Sequence, residues 1–348
     1  MKKLAMIGCG EIGKYHLSHF MEFGDLVELS GFCDLIPERA QQFVEKSGSG
    51  KAFTDFKEMY DEIKPDMVFI CVPPYAHGEI EYETIQRKLP FFVEKPLTLD
   101  MELAKDIAAK VAENRLITAV GFQCRYDGLV KPLADFSKEN EVAYINLTRI
   151  GSVPTAPWWT DKKLSGGQLT EQTIHNLDYI RYTFGEPDTV FSMATRGFVK
   201  EFQNYDTDDL TATVVRFKSG ALATVATGCY ATAGTAYDSK LTYSTRDKHA
   251  DLYLLERLDV YGEAEQKEEI GDLVIEGDGS LSNAAGEAET FRNEGDPGIL
   301  CDRTFIEAVI SGDGSKIRSP YADALKTLAF ALACNESMDT GLPIKVEL

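Results

Sequence analysis

Short apolar runs and helical stripes alternate along the first third of the chain. Leu4-Ala5-Met6-Ile7, Val27 to Phe32, Asp66 to Val72, Phe91-Phe92-Val93 and Leu116 to Phe122 are nearly continuous apolar runs. That is the pattern of strands buried on both faces of a parallel sheet. Between them the spacing predicts helices. One runs from the Gly8–Gly13 turn to about Phe23 with Gly24 as its stop, and Pro37 to Lys46 has proline in its first turn. Asp55 to Ile63 starts at a plausible N-cap, and two more cover Gly78 to Lys88 and Asp100 to Asn114. Strand and helix units in this order to about residue 122 predict an α/β domain, doubly wound around a parallel sheet.

The pattern then changes. Val142 to Ile150, Thr189 to Val199, Leu210 to Phe217 and Ala221 to Cys229 are long and β-rich, and Leu210-Thr211-Ala212-Thr213-Val214 alternates cleanly. Lys218-Ser219-Gly220 is a turn between two of them. Leu252 to Tyr261 and Leu273 to Ile275 read as further strands, Gly277 to Asp296 as an acidic mobile surface loop, and Leu300 to Ser311 and Pro320 to Ser337 as helices. Residues 123–348 therefore read as an α+β domain with a large, mostly antiparallel open sheet, covered on one face and free on the other, following a first domain over 1–122.

The first turn carries chemistry. Gly8-Cys9-Gly10-Glu11-Ile12-Gly13 follows a strand and opens a helix, and Asp34 ends the next strand 21 residues after Gly13. Gly8 permits the tight turn, Gly10 lets backbone approach a pyrophosphate, and Gly13 lets helix pack on strand, while the helix N-terminus offers free N–H groups. Asp34 is spaced to hold the adenosine ribose hydroxyls, which predicts a dinucleotide-binding Rossmann domain. An acid there repels a 2′-phosphate, and Leu35 stands where NADP binding would call for Arg or Lys. NAD is the expected cofactor, with nearby Arg39 the one residue that argues the other way.

Charge and cysteines narrow the class. Among 348 residues the net charge is −20, which argues against nucleic acid and anionic membrane surfaces as partners. The seven cysteines are spread with no CxxC and no zinc spacing, so reduced buried thiols in a cytoplasmic protein are expected, and no metal site. No stretch has the length of a signal peptide or membrane span.

Two further places look chemical. Val72-Pro73-Pro74-Tyr75-Ala76-His77 forms a rigid loop at the carboxyl end of a buried strand, where open α/β sheets bind ligands, and Glu94-Lys95-Pro96 ends the next strand. Lys95 there can hold a substrate hydroxyl beside the nicotinamide, or simply be a loop lysine. Ser165 to Asp178 reads as one helix with Glu171, His175 and Asp178 on one face, beside an apolar stripe of Ile174, Leu177, Ile180 and Phe184. Such a polar stripe suits an acid/base pair, and equally a salt-bridged surface histidine. Trp158-Trp159 can wall a sugar-like ligand or serve a core or interface.

These motifs together resemble the glucose-fructose oxidoreductase and inositol dehydrogenase family (Gfo/Idh/MocA) over nearly the whole chain. The resemblance rests on the glycine turn, Asp34, Val72-Pro73-Pro74, His77, Glu94-Lys95-Pro96, the 166–178 segment and the 323–341 tail. It implies Lys95 as catalytic lysine and His175 as acid/base, with Glu171 in the place of an orienting aspartate, a departure from many members. It places Gln123, Arg125 and Tyr126 on the stretch leading into the substrate cleft. It also implies a homodimer or homotetramer through the C-terminal sheet and a sugar or cyclitol substrate. The expected activity is an NAD-dependent dehydrogenase. Its rivals are a glycosidase or epimerase-like enzyme cycling a bound NAD, and a sensor that binds nucleotide and sugar without catalysis.

Overall fold

The computed structural model describes residues 1–234, 238–262 and 288–348. Its first sheet contains β1 (Lys2–Ile7), β2 (Val27–Cys33), β3 (Lys51–Phe53), β4 (Met67–Ile70), β5 (Phe91–Val93) and β6 (Thr118–Val120). Helices α1 (Glu11–Phe20), α2 (Pro37–Ser47), α3 (Phe56–Ile63), α4 (Glu79–Gln86) and α5 (Met101–Asn114) link them. All pairings are parallel, in the order β3-β2-β1-β4-β5-β6. Chain order reverses beside β1, which sets the carboxyl ends of β1 and β4 on either side of a crevice. Helix starts obey their caps: Asp55 accepts from Lys57 and Glu58 N–H, and Asp100 from Glu102 and Leu103 N–H. The short strand β3 carries too few apolar residues to leave a periodic trace in the sequence.

The second half holds α6 (Val130–Glu139), β7 (Tyr144–Ile150), α7 (Lys162–Ser165), α8 (Gly167–Glu171), α9 (Ile174–Thr183), β8 (Pro187–Thr195), β9 (Leu210–Phe217) and β10 (Leu222–Gly228). It continues with β11 (Asp238–Ser244), β12 (His249–Tyr253), β13 (Arg257–Tyr261), β14 (Glu289–Arg292), α10 (Pro297–Ser311), α11 (Tyr321–Thr340) and β15 (Ile344–Lys345). Nine strands form one sheet in the order β14-β13-β12-β11-β7-β10-β9-β8-β15, antiparallel except where β10 runs parallel to β7. Alternate residues of β7 and β9 are buried beneath α9 and α11, and the other face lies open.

Three expectations are corrected. Leu252 to Tyr261 is two strands, β12 and β13, because Leu254 to Glu256 turns the chain back. Gly277 to Asp296 contains strand β14, where Phe291 pairs with Leu258 of β13. The remainder of that segment before residue 288, and the strand expected at Leu273 to Ile275, fall outside the described residues. The helix expected over 165–178 is broken. Gly166 and Gly167 both adopt left-handed backbone, and Thr173 N–H bonds the carbonyl of Gln168, five residues back, in a widened turn between α8 and α9.

The last helices return to the first sheet. Cys301, Phe305, Ile306 and Ala308 of α10 pack with Leu17, Phe20 and Phe69, and Val120 N–H donates to the Ser319 carbonyl just before α11. Among the described residues no helix is long and apolar enough to cross a membrane.

Candidate active site

The glycine turn fits a pyrophosphate. Gly8 takes φ +94°, and a Cβ there would meet the Cys71 carbonyl oxygen at 2.3 Å. At Gly13 a Cβ would meet the Gly8 carbonyl oxygen at 2.4 Å, so helix and strand need that glycine. Gly10, by contrast, faces open space, with nothing within 4 Å of an added Cβ. The cradle is thus bare backbone at the N-terminus of α1, the chemistry a dinucleotide phosphate needs. Asp34 is locked onto this turn: Oδ2 accepts Cys9 N–H at 2.8 Å and Oδ1 accepts Ile36 N–H at 2.9 Å. Its remaining lone pairs are free for ribose hydroxyls. Leu35 and Ile12 are exposed, and the Glu11 side chain turns to solvent against Lys14, leaving only its backbone at the cradle.

The β4 loop is rigid. Val72 and Pro73 are half-buried and Pro74 buried. His77 faces inward, with Nδ1 2.6 Å from Glu81 Oε1, which secures the loop, while its buried Nε2 has no partner among the described residues.

Glu94 and Lys95 part company. Glu94 turns into the interior, 3.1 Å from His16 Nε2. A Cβ on Gly121 would strike its carboxylate at 2.1 Å. Its side chain is therefore a packing partner of α1. Lys95 turns the other way. Its Nζ donates to the Glu171 carbonyl and to Glu171 Oε1, both at 2.8 Å. Glu171 Oε2 in turn accepts from Trp159 Nε1 at 2.9 Å and from Gln172 Nε2. Burial opposes ionisation of Glu171, but the Lys95 ammonium and these donors outweigh it and hold the carboxyl below its usual range.

Glu171 and His175 are not a pair. The widened turn at Thr173 takes them out of the expected four-residue register, and Lys95 and Trp159 occupy the carboxylate. Asp178 belongs to a third group. It binds Arg125 through both oxygens, at 2.7 and 2.5 Å, and accepts from Thr327. His175 itself is partly buried, edge-on to Phe122, and its Nδ1 is buried with no hydrogen-bond partner among the described residues. Burial, Lys95 and Arg149 all disfavour its cation, so its pKa lies well below the ordinary value.

The remaining predicted substrate residues separate. Arg125 is 1% exposed and committed to Asp178, Asp323 and the Arg318 carbonyl. Tyr126 is buried with its hydroxyl accepting Arg318 N–H. Both brace the joint between the halves and do not face the cleft. Gln123 is half-buried near Tyr15 and Gly298, beside α1. Trp159 is fully buried and serves Glu171. Trp158 is half-buried and meets the exposed ring of Tyr75 edge-on at 6.5 Å, which joins the β4 loop to the second half.

One residue of this group escaped the sequence reading. Arg149 Nη2 donates to Gln172 Oε1 at 2.7 Å, which ties β7 to the Glu171–Lys95 group. Arg149 closes an ordinary alternating strand, so only the sheet register could have placed it by the cleft.

Comparison with known proteins agrees with this geometry. Residues 2–122 match the oxidoreductase family, NAD-binding Rossmann fold, and residues 141–264 match the GFO/IDH/MocA C-terminal domain. The myo-inositol 2-dehydrogenase of Thermotoga maritima is 29% identical over 225 residues, 64% of this chain and 67% of that protein. The scyllo-inositol 2-dehydrogenase (NAD(+)) of Bacillus subtilis is 30% identical over 228 residues, 64% of this chain and 66% of that protein. The matches thus span about two thirds of these relatives. A levoglucosan dehydrogenase structure, in complex with NADH and levoglucosan, shares the fold with TM-score 0.83 and 19% identity over 100% of both chains. With both halves matched and the glycine cradle intact, the chain belongs to the GFO/IDH/MocA oxidoreductase family and carries its NAD-binding Rossmann domain.

Proposed function

We propose that the protein is an NAD-dependent dehydrogenase acting on a CH–OH carbon of a sugar, sugar derivative or cyclitol. The observation that carries this reading is a lysine, Lys95, held by Glu171 and near enough to the half-buried His175 to disfavour its cation. The inositol and glucoside dehydrogenases among the relatives support the substrate class. Residues 1–122 hold the cofactor in this reading and 123–348 supply the substrate side.

Lys95 Nζ donates to the reacting hydroxyl oxygen and stabilises its negative charge as the proton leaves. His175, kept neutral by burial and by the cations around it, accepts that proton. Glu171 positions Lys95 by gripping its ammonium from one side, and Trp159 and Gln172 hold Glu171 in turn. When bound, NAD supplies the hydride acceptor. Trp158 and Tyr75 form an aromatic edge at which a sugar ring can lie.

The open sheet face carries Tyr144, Phe191, Met193, Val214 and Leu222, all exposed. We read this face as the contact for a homodimer or homotetramer, and sedimentation of the protein and of Met193→Glu tests it. All seven cysteines are free and buried, which suits a reducing cytoplasm.

Screening inositols and sugars for NADH formation tests the activity, with Lys95→Ala as the control. The reading expects net NADH with at least one polyol and a large loss in the variant while NAD still binds. Product formed without net NADH would overturn it in favour of an internal redox cycle.

A further inference from the structure

Arg149 is the cleft residue that the mechanism above leaves without a task. It stands on the face of β7 whose earlier positions, Ile145 and Leu147, are fully buried beneath the helices, just where that cover ends. Its sheet neighbour on β11 is Ser239, whose hydroxyl receives a hydrogen bond from Asn176, the residue after His175. Its guanidinium bonds Gln172 and reaches the Cys229 thiol, both uncharged. Among the described residues no carboxylate lies within ion-pair distance of it.

The other cations around the cleft are matched. Lys95 pairs with Glu171, Arg125 with Asp178 and Asp323, Arg181 with Asp323 and Glu186, and Lys162 with Asp208. Arg149 is thus the one of these five cations with no carboxylate partner among the described residues. A half-buried guanidinium without a counter-charge costs free energy, because neutral partners such as Gln172 and Cys229 replace only part of its lost hydration. The pyrophosphate cradle lies at Gly10 on the other sheet, so the cofactor phosphates have their own site. A counter-charge brought by the substrate restores the balance.

We propose that the substrate carries a carboxylate and that Arg149 receives it, which makes the natural substrate a sugar acid or a carboxylated polyol. A carboxylate meets the one unpaired guanidinium charge for charge, whereas a phosphate dianion brings two negative charges to it. The planar fork of arginine also matches a carboxylate through two parallel hydrogen bonds. The place of the reacting carbon rests on the dehydrogenase reading; the carboxylate contact does not.

The test pairs each of several uronates and aldonates with its neutral parent sugar and, for the parents that form one, the phosphate ester. Binding is measured by calorimetry on the NADH-loaded protein and turnover by NADH formation with NAD, for the unmutated protein, Arg149→Gln and Arg149→Lys. NADH binding by each variant reports that it is folded. Expected is tighter binding of at least one acid than of its neutral parent, with that preference falling about 10- to 100-fold in Arg149→Gln and less in Arg149→Lys. Equal or better binding of every neutral parent, a preference that survives in Arg149→Gln, or preference for a phosphate ester over its acid would overturn the proposal. Acid binding that depends on Arg149, with no NADH from any compound, would leave the proposal standing and remove the dehydrogenase reading instead.

Discussion

His16 is buried and His175 half-buried, yet the chain pushes them in opposite directions. His16 lies between two carboxylates, with Nδ1 2.8 Å from Asp302 Oδ2 and Nε2 3.1 Å from Glu94 Oε1. Burial disfavours its cation, but Asp302 and Glu94 outweigh burial and raise its pKa to about 10. His175 is desolvated too and has Lys95 and Arg149 as charged neighbours, so both effects act downward. Desolvation alone therefore does not make a base; the sign of the surrounding charge decides whether a buried histidine is a fixed cation or a neutral proton acceptor. The residue pair Glu94-Lys95 is the divide. Glu94 serves the closed group with α1 and α10, and Lys95 serves the cleft.

The strongest attempt to break this contrast is His175→Ala. It should fold and bind NAD but lose about 10²–10⁴ in rate, the usual cost of removing a positioned acid/base. In the unmutated protein kcat/KM for alcohol oxidation should hold steady down through about pH 6.5, the ordinary histidine value. It should fall only at lower pH, because the pKa lies well below that value and oxidation needs the neutral ring. A variant with full rate, or an acid limb centred above the ordinary histidine value, would end the assignment.

His16→Leu tests the other side. It strips the cation from the buried carboxylate of Glu94 and leaves Asp302 with His19 alone, a change that costs about 3–5 kcal/mol of stability. Because the folded pKa is raised, the contribution of His16 is complete below about 6.5, the unfolded value. It is lost as pH rises through about 10. The unmutated protein should lose denaturant resistance across that alkaline window, and the variant should start lower and show less of this loss. Identical alkaline profiles would show that His16 is not a structural cation.

Much of this was legible beforehand. The parallel sheet, its helices and the glycine turn left strong periodic traces because both faces of those strands are buried and Gly8 and Gly13 each answer a steric demand. Lys95 and His175 were visible as motif residues. Their partners were not. The register between Glu171 and His175 depends on the single long-range hydroxyl cluster of Thr173, Gln168 and Thr227 that stabilises the widened turn. Arg125 looked like a cleft residue because sequence order places it after β6, and only its ion pairs with Asp178 and Asp323 reveal a brace. Arg149 carries no local signal at all.

Glu171→Gln sharpens the contrast on the cleft side. The amide keeps the size and can still accept from Lys95 and Trp159, but the ion pair is gone. Since Glu171 acts through Lys95, kcat should fall about 10-fold, the worth of one charge-assisted hydrogen bond. The acid limb of His175 should stay where it is, because the Glu171 carboxylate is held by Lys95 and Trp159 and does not pair with His175. A limb that moves would mean that Glu171 acts on His175 directly.

The smallest effect is expected at the cofactor. Asp34 gives one lone pair each to Cys9 and Ile36 N–H, and keeps others for the ribose. No cation replaces the exposed Leu35 that follows it, although Arg39 stands close enough to act on Cys9 and Glu11. The unmutated protein should favour NAD over NADP in kcat/KM. Asp34→Ala should weaken NAD, since the glycine turn loses its anchor at Cys9 as well as the ribose contact. It should also relieve the repulsion of a 2′-phosphate, so the preference should narrow by about 10-fold, the worth of a hydrogen bond to a charged group. Arg39→Gln in the same background should take back whatever NADP use remains. Equal efficiency with both cofactors before any mutation would show that Arg39, not Asp34, dominates the ribose end of the site.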